Sequence, residues 1–265
     1  MQKPDNGGGS PRLVSSLAGA VKVLTAGALL VSLVLFVYSA QFRTGLLGFL
    51  FPEQSQLLYA RVSLPILVVQ HVQLVVLSSG AATVVGLSTG IFVTRGVGRD
   101  FLPLARDLSS LAQTFPPAAV LALAFPVLGF GFEPTVTALF VFGLLPIVNN
   151  TISGIESVNP GLVEASVGQG MRPRQVLLQT ELPLAARVIV AGIRTSVIIN
   201  IGTATIGSTI GAGGLGTVII AGLVRNNTAF VLTGAVTAAG LALIADWVFG
   251  RIESMFYDPR DGTAS

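Results

Sequence analysis

The stretch that most invites a chemical reading is "GAGGLG" at 211–216, where Gly211, Gly213 and Gly216 spell G-x-G-x-x-G. In a dinucleotide-binding loop such glycines let the backbone approach a pyrophosphate at a helix N-terminus. That use needs a strand before the loop, a helix after it, and an acidic residue about 20 positions on. Here a long apolar run precedes the loop, and no Asp or Glu lies between Glu181 and Asp246. The sequence G-x-x-x-x-G-K-[ST] is absent, so ATP has no phosphate loop on this chain. Cysteine is absent, which removes disulfides and thiolate chemistry. His71 is the single histidine, too few for a site of clustered imidazoles. No catalytic residue, cofactor or metal site is expected.

Composition points to lipid. Of 265 residues 52% are hydrophobic and 10% are charged, against about 25% charged in a soluble domain. Mean hydropathy is +0.80. The net charge of +3 carries no basic patch interleaved with aromatics, so no nucleic-acid partner is expected.

These residues must be positioned by membrane helices, which need about 20 mostly apolar residues each. Six candidate spans follow: Val23–Ala40, Leu74–Thr94, Leu108–Phe132, Thr135–Ile155, Leu184–Ile210 and Ala229–Gly250. The third is interrupted by Pro116, Pro117 and Pro126. A further apolar piece, Thr217–Val224, is too short to cross. The first span is too long for a signal peptide and no A-x-A site follows it, so it reads as retained. Residues 1–12 are polar, Gly-rich and expected to be disordered.

The basic residues set orientation. With the N-terminus inside, inner segments carry Lys3, Arg12, Lys22, Arg95, Arg99, Arg106, Arg172, Arg174, Arg187, Arg251 and Arg260. Outer segments carry Arg43, Arg61 and Arg225. Both termini are expected in the cytoplasm, and 156–183 becomes the longest cytoplasmic loop.

In this setting the glycines have two other readings. Gly202, Gly207 and Gly211 thin one side of the fifth span, and Gly207–Gly211 is a GxxxG pair that suits close helix packing. Gly211, Gly213, Gly214 and Gly216 then allow a sharp turn at its outer end. One reading is a packing element near a translocation path, the other a flexible turn.

The loop "NPGLVEASVGQGMRPRQVLLQTELP" at 159–183 reads as a short helix with punctuation. Asn159 can cap it and Pro160 suits its first turn. Glu164 is expected early in the helix, where a negative charge suits the N-terminal end. Ala165 and Ser166 are small and leave a face that can enter a groove. Gly168 and Gly170 favour termination. From the residues alone this is either such a docking element or an amphipathic connector on the membrane surface.

Glu164-Ala165-Ser166, Gly170 and Leu182-Pro183 resemble the EAA loop of ATP-binding-cassette importer permeases. That pattern runs E-A-A, three residues, G, nine residues, I, one residue, L-P. Two positions depart: Ser166 stands for the second Ala and Thr180 for the Ile. "QTFPPAAVLALAFPVLGFG", "LLPIVNNTISGI" and "ELPLAARVIVAGIRTSVIINIGTATIGSTIGAGGLG" are similar to the osmoprotectant branch, which serves glycine betaine, carnitine and choline. A related permease for another solute such as methionine is the alternative.

The resemblance implies an all-α, six-span, type I importer permease in the cytoplasmic membrane of a bacterium, with no enzymatic activity of its own. It implies a coupling helix in which Glu164, Ala165, Ser166 and Gly170 dock on separate ATPase subunits, and Leu182-Pro183 fix the start of the fifth span. It implies an external solute-binding protein and a second permease, identical or homologous. Residues 13–60 would be the first span and an external loop, 61–252 the core permease domain, and 253–265 a cytoplasmic tail.

Polar side chains within the spans either face a pathway or bond helix to helix. The candidates are Asn149, Asn150 and Thr151 in the fourth span, and Asn200, Thr203 and Thr205 in the fifth. His71 reads as an interfacial polar residue, Arg194 as a snorkelling one, and Asp246 as a possible partner for an arginine.

Overall fold

A computed structural model of the chain describes residue 25, residues 27–112 and residues 114–256. The N-terminal segment 1–12 and most of the tail 253–265 lie outside these. Among the described residues every regular element is helical. Four helices are long and apolar enough to cross a membrane: α3 (Leu64–Val93), α6 (Phe132–Glu156), a continuous run Pro173–Ile210, and α11 (Thr228–Met255). A bent pair, α1 (Gly27–Tyr38) and α2 (Ala40–Leu50), makes a fifth if counted as one span.

The bend in that pair is 96°. It falls at Ser39, whose hydroxyl accepts the Phe42 N–H at 3.2 Å and starts α2. The end of α1 leaves carbonyls without helical partners. Arg43 Nη1 donates to two of them, Phe36 O at 2.6 Å and Val37 O at 2.5 Å. The side chain that closes the bend therefore comes from the helix beyond it.

The third apolar run does not form one span. It divides into α4 (Leu102–Ala112) and α5 (Pro117–Leu128). Pro116 is extended (ψ 138°) and Pro117 begins α5, while Gly129 and Gly131, at φ +80° and +100°, end it. Conversely, α3 begins ten residues before the expected Leu74. Gln70 and His71 lie inside α3 and find partners within the protein.

α6 packs between α3 and the α9 part (Leu182–Gly207) of the continuous run, and α9 packs in turn on α11. Lipid tails provide no hydrophobic drive between helices, so close backbone approach matters more. A Cβ at Gly192 on α9 would lie 2.5 Å from Asn150 Cβ and 2.9 Å from Pro146 O on α6. Higher in the bundle, Leu74 and Val75 of α3, Leu139 of α6, and Ile201 and Ala204 of α9 form one buried cluster. A short helix α10 (Gly216–Val224) packs on α11; it is the apolar piece judged too short to cross. Gly202 does not share the packing expected of it: it is exposed, with open space where a Cβ would be.

Gly192→Ala is expected to destabilise the protein by about 1–3 kcal/mol through overpacking. Gly202→Ala is expected to be neutral or to stabilise by about 0.5–1 kcal/mol through helix propensity. Thermal unfolding of the two variants in detergent checks the contrast.

Candidate functional site

The segment between α6 and α9 forms a folded unit. Asn159 Oδ1 accepts the Gly161 N–H at 2.8 Å and opens α7 (Pro160–Gly168). Gly170 closes it at φ +83°. There the Gly170 N–H donates to Val167 O at 2.9 Å and the Met171 N–H to Ser166 O at 3.2 Å. Those paired bonds are a Schellman motif, and the left-handed residue it needs is the glycine at 170. α8 (Pro173–Val176) follows, its start held by Gln175 Oε1 accepting the Arg172 N–H at 2.8 Å. A π-helical turn, Leu177–Glu181, then runs into α9, with Leu182-Pro183 in its first turn.

Glu164 and Ala165 are exposed on α7, with Leu162 and Val167 beside them. Glu164 is the fifth residue of the helix, beyond its first turn, so the expected interaction with the N-terminal end does not apply. Ser166 departs from the sequence reading more sharply. It is 8% exposed and turned towards the rest of the chain, so it does not share the outer face. Val163 and Leu182 pack against Ile155, Val158, Ala185 and Ile189, which seats α7 on the ends of α6 and α9.

Two ion pairs brace this level. Arg95, just past α3, lies with Nη2 2.5 Å from Oε2 of the buried Glu181. Arg106 of α4 pairs with Glu156 at the end of α6. Within the bundle, Arg194 Nε donates to Asp246 Oδ1 at 2.8 Å and Nη1 to Glu253 Oε2 at 3.0 Å. Arg194 is thus a link between α9 and α11 in addition to any snorkelling. The rule that intramembrane charges pair up pointed to Asp246; nothing local in the sequence marks Glu181 with Arg95.

The glycine loop lies far along α9 from this unit. Gly211 (φ +83°) ends the helix with a second Schellman pair: its N–H donates to Ser208 O, and the Ala212 N–H to Gly207 O, both at 3.2 Å. Gly213 and Gly214 are also left-handed, at φ +79° and +77°. They lie against α3, where Gln70 Oε1 accepts the Gly214 N–H at 3.0 Å. Gly216 abuts Ser208, a Cβ there falling 2.5 Å from its hydroxyl, and Gly207 packs on Thr135 of α6. His71 is fully buried beside this loop, not interfacial, and its Nε2 lies 2.9 Å from Ile201 O, to which it donates. The loop holds α9 to α3 and α6, and the amides of Gly211, Ala212 and Gly214 are spent on protein partners.

The candidate pathway residues do not gather into one site. Asn200 is buried, and its Nδ2 donates to Ser79 Oγ at 2.9 Å on α3, beside Ser196. Asn150 lies level with Gly192, eight residues or about 12 Å down α9, and its Nδ2 donates to Pro146 O at 2.8 Å. Thr151 Oγ1 donates to Ile147 O, and Thr205 Oγ1 to Gly202 O, both at 2.7 Å. Asn149 and Thr203 are half-buried. Asn200 bonds from helix to helix through Nδ2, while its buried Oδ1 has no protein partner among the described residues, and Asn150, Thr151 and Thr205 bond within their own helices.

A family model described as a binding-protein-dependent transport system inner membrane component matches residues 82–255. Similar proteins include the glycine betaine/carnitine/choline transport system permease protein OpuCD of Bacillus subtilis, 41% identical over 173 residues, which is 65% of this chain and 75% of that one. The osmoprotectant import permease protein OsmY of Salmonella typhimurium is 40% identical over 69% of this chain and 78% of its own. Among solved structures, the inward-facing MetNI methionine ABC transporter superposes with a TM-score of 0.62 at 21% identity, over 71% of this chain and 94% of that chain. At that identity the likeness concerns fold alone.

Gly170→Ala is expected to strain the end of α7 by about 1–2 kcal/mol, speeding amide exchange in 160–171 by about 5–30-fold. Gly168→Ala, where φ is helical and the space open, is expected to change it little. Hydrogen–deuterium exchange of the two variants checks this.

Proposed function

The chain belongs to the family of binding-protein-dependent transport system inner membrane components, and on that premise we propose that it is the permease subunit of an ATP-driven importer for compatible solutes such as glycine betaine, carnitine or choline. The family is one of multi-pass membrane proteins with ATPase and binding-protein partners. The finer claims are ours: two copies, or this chain and a homologue, form the translocating pair, both termini face the cytoplasm, and the ATPase is a separate subunit.

The observation that carries the reading is α7. Its outer face presents Glu164, Ala165, Leu162 and Val167, while its inner face is seated on α6 and α9. A nine-residue helix capped at both ends and exposed along one side suits a groove on a partner. Closure of the ATPase pair on ATP would draw two such helices together and turn the bundle outward; hydrolysis would return it. The chain itself performs no chemistry. The solute class rests on the relatives, and a permease for another solute, such as methionine, is the alternative.

The test is uptake of labelled glycine betaine after an osmotic upshift. The host lacks its other compatible-solute importers and carries the surrounding operon with or without this gene. Uptake is expected only when the gene is present. Glu164→Arg is expected to leave the protein inserted but to reduce uptake at least tenfold, the factor that about 1.4 kcal/mol of lost docking carries. Normal uptake by that variant would sink the coupling role. No uptake from an assembled, unsubstituted complex would move the reading to choline, carnitine or methionine.

A further inference from the structure

Ser166 and Thr180 are the two positions at which 164–183 departs from the E-A-A…G…I-x-L-P pattern. In the fold they touch. Ser166 is the buried residue of α7, and its Oγ lies 2.8 Å from Leu162 O and 2.9 Å from Thr180 Oγ1. A serine hydroxyl has one proton and two lone pairs. The Leu162 carbonyl can only accept, so the Ser166 proton goes there. The Thr180 hydroxyl is then the donor to Ser166 Oγ. Each departure supplies what the other needs. Alone, either hydroxyl would be left half-satisfied in a poorly hydrated place, which costs free energy.

Thr180 belongs to the π-helical turn Leu177–Glu181, a form of turn that recurs at functional sites. Its neighbour Glu181 is 6% exposed and paired with Arg95 at the end of α3. One turn of chain therefore holds α7 by Thr180, holds α3 by Glu181, and continues directly into α9.

We propose that Ser166 and Thr180 are positioning residues of the coupling unit. Their hydrogen bond fixes the angle between α7 and the π-helical turn, so that a displacement of α7 passes to α9 through the chain and to α3 through Glu181 and Arg95. Neither residue touches the partner or the solute. The proposal rests on the importer reading and adds to it the joint that makes the docking helix act on the bundle.

The test uses the complete complex in proteoliposomes, with labelled glycine betaine, carnitine or choline, and measures solute imported per ATP hydrolysed. Ser166→Ala and Thr180→Val are each expected to lower that ratio about three- to tenfold, the factor that one buried hydrogen bond carries, while the ATPase still co-purifies. The double variant Ser166→Ala/Thr180→Ile, which restores the apolar pair, is expected to recover most of the ratio. A merely structural role would move yield or melting temperature and leave the ratio alone. An unchanged ratio in both single variants, or a double variant whose loss is the product of the two, overturns the proposal and leaves the importer reading standing. Import of none of the three solutes by the unsubstituted complex overturns both.

Discussion

A helix that ends within or beside a bilayer leaves its last carbonyls with no water to bond, and the protein must supply the partner itself. This constraint organises the chain. At the bend after α1 the partner is the Arg43 guanidinium. At the end of α9 it is the backbone, folded back through Gly211 in the same pair of hydrogen bonds that closes the exposed α7 at Gly170. After α10 an asparagine takes that place: Asn226 is left-handed at φ +51°, and Asn227 both completes the motif and caps α11. The glycines that look like a nucleotide loop serve this need. The positive φ of Gly211 closes α9, and Gly214 spends its amide on Gln70.

The same economy governs charge. Uncompensated charges are costly away from water, and while Arg43 bonds to carbonyls, two other arginines are matched by carboxylates. Arg194 joins α9 to α11 through Asp246 and Glu253. Arg95 joins α3 to the turn before α9 through Glu181. Three bundle helices are thus tied towards the end where α7 is seated. A push on α7 meets a braced frame rather than a floppy connector, which is what a mechanical input to the bundle requires.

Much of this was legible in the sequence, for local reasons. The fourth and fifth spans lie within a few residues of their apolar runs, and Pro146 inside the fourth does not end it. α7 was marked by Asn159-Pro160 at one end and Gly168 with Gly170 at the other. The hidden parts depend on distant partners. His71 reads as an interfacial residue until its partner at Ile201 is known. The bend after Tyr38 carries no proline or glycine to announce it. The third run was visibly weakened by Pro116-Pro117, but its division also needs Gly129 and Gly131 in left-handed conformations. Ser166 was placed on the outer face because its size suited a groove; only the seating of α7 reveals that it points inward. The pathway candidates illustrate the opposite limit, since polar type alone did not predict that Asn150 and Asn200 sit at different depths.

The central claim is that the exposed side of α7 meets an ATPase. The chain has no cysteine, so single thiols can be placed without background. The direct measurement is cross-linking in native membranes from Ala165→Cys, with a short thiol-to-amine reagent, in cells producing the whole operon. A control thiol at Val224, 80% exposed at the end of α10, reports the opposite end of the bundle. The account predicts a cross-linked band containing the ATPase subunit from position 165 and none from position 224. No ATPase band from 165, or equal bands from both, would contradict it.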